Sequence, residues 1–253
     1  MTGFATLLRK EFLEQWRTLR LPVIGAVFFL IGLGSPLLAR FTPELVKSLG
    51  GGQIQIVIPP PTTPDAVDQL IKNVSQFGIL VAVLLAMGSV ATEKERGTAA
   101  LILTKPAGRG AFLVSKLVAI AGTLLIATVL AAAAAWFYTV VLFEALPVAG
   151  FAASAVLQWL GLVVFAAITF LGSTLTRSAL AAAGIGVVAL IVVGILSAFP
   201  SVAPYLPVGL GAPARALALG QPAGDIAGPL LANVGLIAAA LGLSWLSFRR
   251  QEL

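Results

Sequence analysis

The chain has 253 residues, is 59% apolar and 10% charged, and carries a net charge of +6 with a mean hydropathy of +1.03. Soluble domains are roughly 45–50% apolar and about 25% charged, so an ordinary soluble enzyme is excluded. With neither histidine nor cysteine in the sequence, imidazole bases, thiolate nucleophiles, disulfides and the usual zinc ligands are excluded too.

Residues 1–20 carry Arg9, Lys10, Glu11, Glu14, Arg17 and Arg20 beside an apolar series, Phe4, Leu8, Phe12, Trp16 and Leu19. That spacing predicts an amphipathic helix lying along a membrane surface. The segment is too charged at its far end for a secretory leader, and no A-x-A-like site follows, so no removed signal is expected. Six apolar runs follow, at 21–39, 74–92, 117–143, 151–176, 179–199 and 227–248. Each is about long enough to cross 30 Å of hydrocarbon as a helix. The expected fold is therefore an all-α integral membrane protein, a single transmembrane domain of six spans over 1–253.

Segments 40–73 and 200–226 are rich in glycine and proline and are expected to be external. Within the first, Gly50-Gly51-Gly52 and Pro59-Pro60-Pro61 read as loop, and Thr63-Pro64-Asp65 reads as a helix start. Segment 93–116 is charged and is expected to be cytoplasmic. Twelve of the sixteen Lys and Arg residues fall on the side that holds both termini, and only Arg40, Lys47, Lys72 and Arg215 fall on the other. By the positive-inside rule both termini are cytoplasmic. The basic excess therefore reports on topology and anionic lipid, and no nucleic-acid partner is expected.

No acidic or basic residue falls near the centre of a predicted span, which disfavours an ion-coupled carrier. Sodium sites lined by carbonyls need no charge, so a passive or sodium-linked carrier stays open. The polar residues left in the spans, including Gln158 and Asn233, read as helix-packing glue. No G-x-x-x-x-G-K-[ST] occurs, and no segment could house a nucleotide fold. Any work must be powered by a partner at the cytoplasmic face.

The segment after the second span reads Glu93-Lys94-Glu95-Arg96-Gly97-Thr98, then Leu101, Leu103, Pro106, Arg109 and Lys116. A helix turn that is charged at one end and apolar at the other suits docking into a groove on another protein. A solvated loop whose basic residues only enforce topology is the alternative.

The pattern E-K-E-R-G-T, then L-x-L-x-x-P-x-x-R and a lysine seven residues on, closely resembles the loop after the second span in permeases of type-2 ABC exporters. It is most similar to the NosY-like single-domain branch. The N-terminal helix with Arg9, Lys10 and Glu11, the six spans and the external region before the last span match that architecture. The resemblance implies that Glu93 to Thr104 form a coupling helix docked in an ATP-binding subunit, with Glu95, Arg96, Gly97 and Thr98 nearest to it. It implies that residues 1–20 are an elbow helix touching the same subunit. It further implies two permeases, a homodimer or a pair with a similar permease, working with two ATPases that hold ATP and Mg, while this chain binds no cofactor, has no metal site and is not itself an enzyme. A prokaryotic inner membrane follows from the same likeness, and a permease–permease interface lined by Ala, Leu, Val and Phe suits a lipid-like, amphipathic or drug-like cargo. Gly97 would permit a tight turn, and Pro106 would end the docking helix.

Residues Pro200 to Gly220 resemble the family's re-entrant hairpin. Gly220, Gly224 and Gly228 are spaced either for close helix packing or for turns. Ala131 and Ala135 suit packing within the chain, while Trp136, Phe137, Tyr138 and Trp159 are expected in an interfacial belt. A non-transporting membrane anchor or assembly factor that recruits a cytoplasmic protein remains the rival reading.

Overall fold

The computed structural model describes residues 3–49, 60–98 and 108–251, and all the regular structure among them is helical. In chain order the helices are α1 (Phe4–Arg17), α2 (Arg20–Leu49), α3 (Thr63–Met87), α4 (Ala91–Glu95) and α5 (Arg109–Leu142). They continue with α6 (Val148–Leu175), α7 (Ala179–Leu196), α8 (Gly211–Ala218) and α9 (Ala227–Arg249). Among the described residues, six stretches are long and apolar enough to cross a membrane: α2, α3 running on through α4, α5, α6, α7 and α9.

The helix α6 is the central post. It packs against α3, α5, α7, α8 and α9, and its small residues allow the close approach. Gly172 lies against Ile185 of α7, and Gly161 lies against the Pro207 carbonyl. A core of Phe28, Phe112, Phe165, Phe170 and Phe248, all 0–1% exposed, fills the space around it. On α5, Ala131 and Ala135 are buried, and Ala131 meets α2 so closely at Gly32 that a β-carbon there would strike its backbone. These alanines serve packing within the chain, as expected. The outer helices α7 and α9 are mostly exposed, with Leu180, Ile191 and Leu231 pointing away from the bundle.

Two helices reach beyond the expected spans. The helix α2 continues ten residues past residue 39, through Pro36 and Pro43, to Leu49. The loop reading of 40–49 is corrected accordingly. At 30 residues it is about 45 Å long, well over a bilayer core. A membrane helix tolerates proline where neighbours and hydroxyls supply compensating bonds. Here the Ser35 and Thr42 hydroxyls donate to the Ile31 and Leu38 carbonyls at 2.6 and 2.5 Å, and the Asn73 amide donates to Ser35 Oγ at 2.9 Å.

The helix α5 begins at Arg109 rather than at residue 117. Residues 109–116, expected in the charged loop, are its first two turns. Lys116 made that stretch look extramembrane, but it is buried and paired inside the protein.

The start of α3 is close to expectation. Thr62 caps the helix, Asp65 closes a capping box with it, and proline stands in the first turn. The Gly50–Pro59 stretch lies outside the described residues. At the far end of the bundle, two 3-10 turns (Ala203–Tyr205 and Pro207–Leu210) and α8 fold back as a hairpin onto α6. Gly161, which meets the Pro207 carbonyl, lies about 20 Å along α6 from its first residue, Val148. The segment between the last two spans is therefore re-entrant rather than a plain loop. Leu206, Leu210, Ala214 and Ala218 are buried beneath it, and Asn233 of α9 donates to the Tyr205 carbonyl at 3.3 Å. Gly220 and Gly224 have φ of 69° and 68°, so they serve turns and not a helix contact.

One aromatic departs from the expected belt. Trp159 sits midway along α6 and donates from Nε1 to the Ala121 carbonyl of α5 at 2.8 Å. Trp136 does lie near a helix end, where it donates to the Leu146 carbonyl at 3.1 Å.

Candidate functional site: the charged end of the bundle

The residues singled out in the sequence meet where α1, the end of α3, α4 and the start of α5 converge, at the end of the bundle that holds both termini. Buried on α1 are Glu11 and Gln15, while Leu13 and Trp16 are exposed. Leu7 and Phe12 also pack inward, so α1 buries a mixed polar and apolar face and leaves Leu13 and Trp16 for the bilayer interface. Gln15 accepts from the Thr123 hydroxyl of α5.

Lys116 is the hub. Its side chain is 3% exposed, and Nζ lies 2.7 Å from Glu93 Oε1 and 3.0 Å from Glu11 Oε1. Lys10 joins the same carboxylates, 3.0 Å from Glu11 Oε1 and 3.3 Å from Glu93 Oε1, and lies 3.0 Å from Glu14 Oε2. Burial opposes the charge on Lys10, but the Glu11 and Glu93 carboxylates prevail and hold its ammonium above the ordinary lysine value. Burial likewise raises Glu14, yet the hydrogen bond and charge of Lys10 outweigh it and hold that carboxyl low. Carboxylate atoms of Glu11, Glu14 and Glu93 lie within 4.8 Å of one another, a spacing a metal ion would accept. Each of them already takes a lysine ammonium, although two lysines face three carboxylates and Glu93 Oε2 is buried without a partner.

The short helix α4 is held from several sides. The Ser173 hydroxyl of α6 accepts from the backbone N–H groups of Val90 and Ala91 at 3.0 and 2.9 Å. Lys94 donates to the Thr174 carbonyl at 2.7 Å and to Gln251 Oε1 at 3.2 Å. Gln251 in turn donates to the Thr174 carbonyl at 3.0 Å. Arg109, at the first position of α5, donates to the carbonyls of Phe248, Arg249 and Gln251 at 2.9–3.2 Å, closing the exposed end of α9. Such a cation at a helix C-terminus satisfies orphan carbonyls and complements the dipole.

The predicted residues therefore divide. Lys10, Glu11, Glu93 and Lys94 face inward and bind α4 to α1, α5, α6 and the chain end. Arg109 clamps α9. Glu95, Arg96 and Gly97 are exposed, and Thr98 donates to the Glu93 carbonyl at 3.2 Å. Gly97 has φ 68°, the left-handed turn expected of it. Arg9 points outward from α1. Leu101, Leu103 and Pro106 lie outside the described residues. Sequence reasoning missed the roles of Gln15, Ser173, Thr174 and Gln251, which no local pattern marks.

Six apolar helices, a re-entrant hairpin and a charged short helix at the terminal end define a multi-pass membrane protein of the transporter-permease class. The comparison with protein families is specific: the chain belongs to the ABC-2 family of transporter proteins, whose family description, "ABC-2 family transporter protein", matches residues 5–253. A curated relative from Bacillus subtilis (strain 168), "Uncharacterized transmembrane protein YxlG", is 31% identical over 216 residues, covering 82% of this chain and 81% of the relative. The chain is thus a transport membrane subunit, and its family implies an ABC ATPase partner in general terms.

Proposed function

We propose that this permease is the transmembrane half of an ATP-driven exporter and that an ABC ATPase docks on Glu95, Arg96 and Gly97. One observation carries the reading. Three consecutive residues of the α4 turn are exposed, while Glu93 and Lys94 just before them are bonded to α1, α5, α6 and Gln251 just past α9. A push on the exposed tip is then delivered to α1, α5, α6 and α9 together, instead of being absorbed by a loose loop. ATPase states with different affinity for the two arrangements of that tip would shift the permease between inward- and outward-facing forms.

The wider assembly is two such permeases, as a homodimer, with two ATPases that hold ATP and Mg. The exposed apolar faces of α2 and α7, among them Leu30, Leu180, Ile191 and Ile195, support a second copy packed in the membrane. The terminal end faces the cytoplasm of a prokaryotic inner membrane, as the twelve-to-four distribution of basic residues supports. A cargo passing between apolar helices is lipid-like or amphipathic. Membership of the NosY-like branch rests on the Glu93–Thr98 motif.

Co-purification tests the docking. Reversing charge with Glu95→Lys and Arg96→Glu should reduce recovery of the ATPase subunit at least tenfold while the permease stays folded. Undiminished recovery sinks the docking assignment. Lost recovery with transport intact would favour a membrane anchor with no ATP coupling.

A further inference from the structure

We propose that the cavity beside the Lys116 hub is a binding site for the headgroup of an aminophospholipid, with the phosphate held by Arg20 and Arg96 and the primary ammonium by Glu14. The cavity has a volume of about 380 Å³, room for a headgroup. It is amphipathic in depth. Leu85 and Ile120 line it from the membrane-spanning helices, and charged side chains of α1, α4 and the α2 start line the rest. The exposed Leu13 and Trp16 of α1 place the same helix at the bilayer interface.

The charge distribution selects the ligand. Within the cavity wall Lys10 and Lys116 are taken up by Glu11, Glu14 and Glu93. Arg20 and Arg96, both exposed, pair with no carboxylate among the described residues. Guanidinium groups are well matched to a phosphate in geometry and charge. Three carboxylates in the same wall disfavour a second negative charge, so a phosphodiester fits better than a dianionic phosphomonoester. Glu14 is half-exposed, and its carboxyl is held low by Lys10, so it stays ionised and can accept from an ammonium. A primary ammonium donates hydrogen bonds there; a trimethylammonium has no N–H to donate.

Generic attraction of a basic protein surface predicts the reverse order, with an anionic lipid bound best. The test exploits that contrast and uses the permease without an ATPase, so its outcome is independent of the docking reading. Delipidated protein is titrated with short-chain phosphatidylethanolamine, phosphatidylcholine and phosphatidylglycerol, and bound lipid is counted by native mass spectrometry. Phosphatidylethanolamine should bind at least tenfold tighter than phosphatidylcholine and several-fold tighter than phosphatidylglycerol. Arg20→Gln with Arg96→Gln should weaken it at least tenfold, and Glu14→Gln should bring it to within twofold of phosphatidylglycerol. Arg17→Gln, a change on α1 outside the cavity, should have no effect. Free phosphoethanolamine and inorganic phosphate should bind at least a hundredfold more weakly than the lipid, and parity would overturn the lipid assignment. Preference for phosphatidylglycerol, insensitivity to the arginine changes, or an equal fall with Arg17→Gln would each overturn the site.

Discussion

The two ends of the bundle are held together by different physics. At the terminal end, Glu11 of α1 and Glu93 of α4 converge on Lys116 of α5, and Lys10 and Glu14 of α1 extend the network to five charged side chains. At the other, the hairpin is fastened by apolar contacts, by backbone approaches at Gly150 and Gly161, and by one buried amide, Asn233. A buried ion cluster is directional and fails steeply when one member is removed, because the others are left as uncompensated charges. Apolar contact loses stability in proportion to the atoms removed. The terminal end is therefore built to keep several elements in a fixed relation, and the hairpin end to tolerate gradual change.

The largest effect should come from the hub. Lys116→Met leaves Glu11 and Glu93 buried without their main partner and should destabilise the protein by about 3–5 kcal/mol. Thermal unfolding in detergent measures this. Adding Glu11→Gln and Glu93→Gln should recover most of the loss, since replacing a whole buried cluster with neutral groups costs little. If the triple variant is no more stable than the single one, the charge-network account of this end is wrong.

At the hairpin end, Leu210→Ala removes a side chain that is 1% exposed and should cost about 2–3 kcal/mol. Its effect should add to that of Lys116→Met, the two sites sharing no partner. Strong coupling between them would erase the distinction between the ends. Asn233→Ala frees the Tyr205 and Pro229 carbonyls and should cost about 1–3 kcal/mol. It should also speed proteolysis near residues 200–210 without affecting the terminal end.

The exposed Arg215–Asp68 pair, with 41% and 49% of the side chains exposed, should contribute no more than about 1 kcal/mol. A double-mutant cycle that gave several kcal/mol would mean that the hairpin, too, is held by charge.

The pH response of the terminal end has a definite sign. Glu14, held below its ordinary value of 4.5, contributes stability at neutral pH that is lost as pH falls through and below 4.5. Lys10, held above its ordinary 10.5, contributes fully below that value and loses its contribution only as pH rises beyond it. Both groups are partly exposed, so the shift in melting temperature should be small. Glu14→Gln should flatten the acid limb and weaken the alkaline one slightly, because Glu14 helps Glu11 and Glu93 to hold Lys10 high.

Much of this architecture was legible from composition and periodicity. Six apolar runs became six helices, and Thr63-Pro64-Asp65 marked the start of α3 to within one residue of its Thr62 cap, because membrane helices must satisfy their own backbone and cap their exposed ends. What misled were residues whose meaning depends on neighbours far along the chain. Residues 40–49 read as external loop until the Ser35 and Thr42 hydroxyls and the Asn73 amide are seen supporting α2. Lys116 read as a solvated topology marker until Glu11 and Glu93, 105 and 23 residues away, are brought to it. Trp159 read as a belt residue until the Ala121 carbonyl is seen opposite its ring nitrogen.

Hydropathy and the cost of burying bare backbone are local properties, so the residues alone establish a membrane protein of six spans with a charged turn after the second. Which charges of that turn face inward and which are offered outward is settled only once the chain has folded. Pairing energy depends on distance in space, and that distance is set by how α1, α4, α5, α6 and α9 pack together.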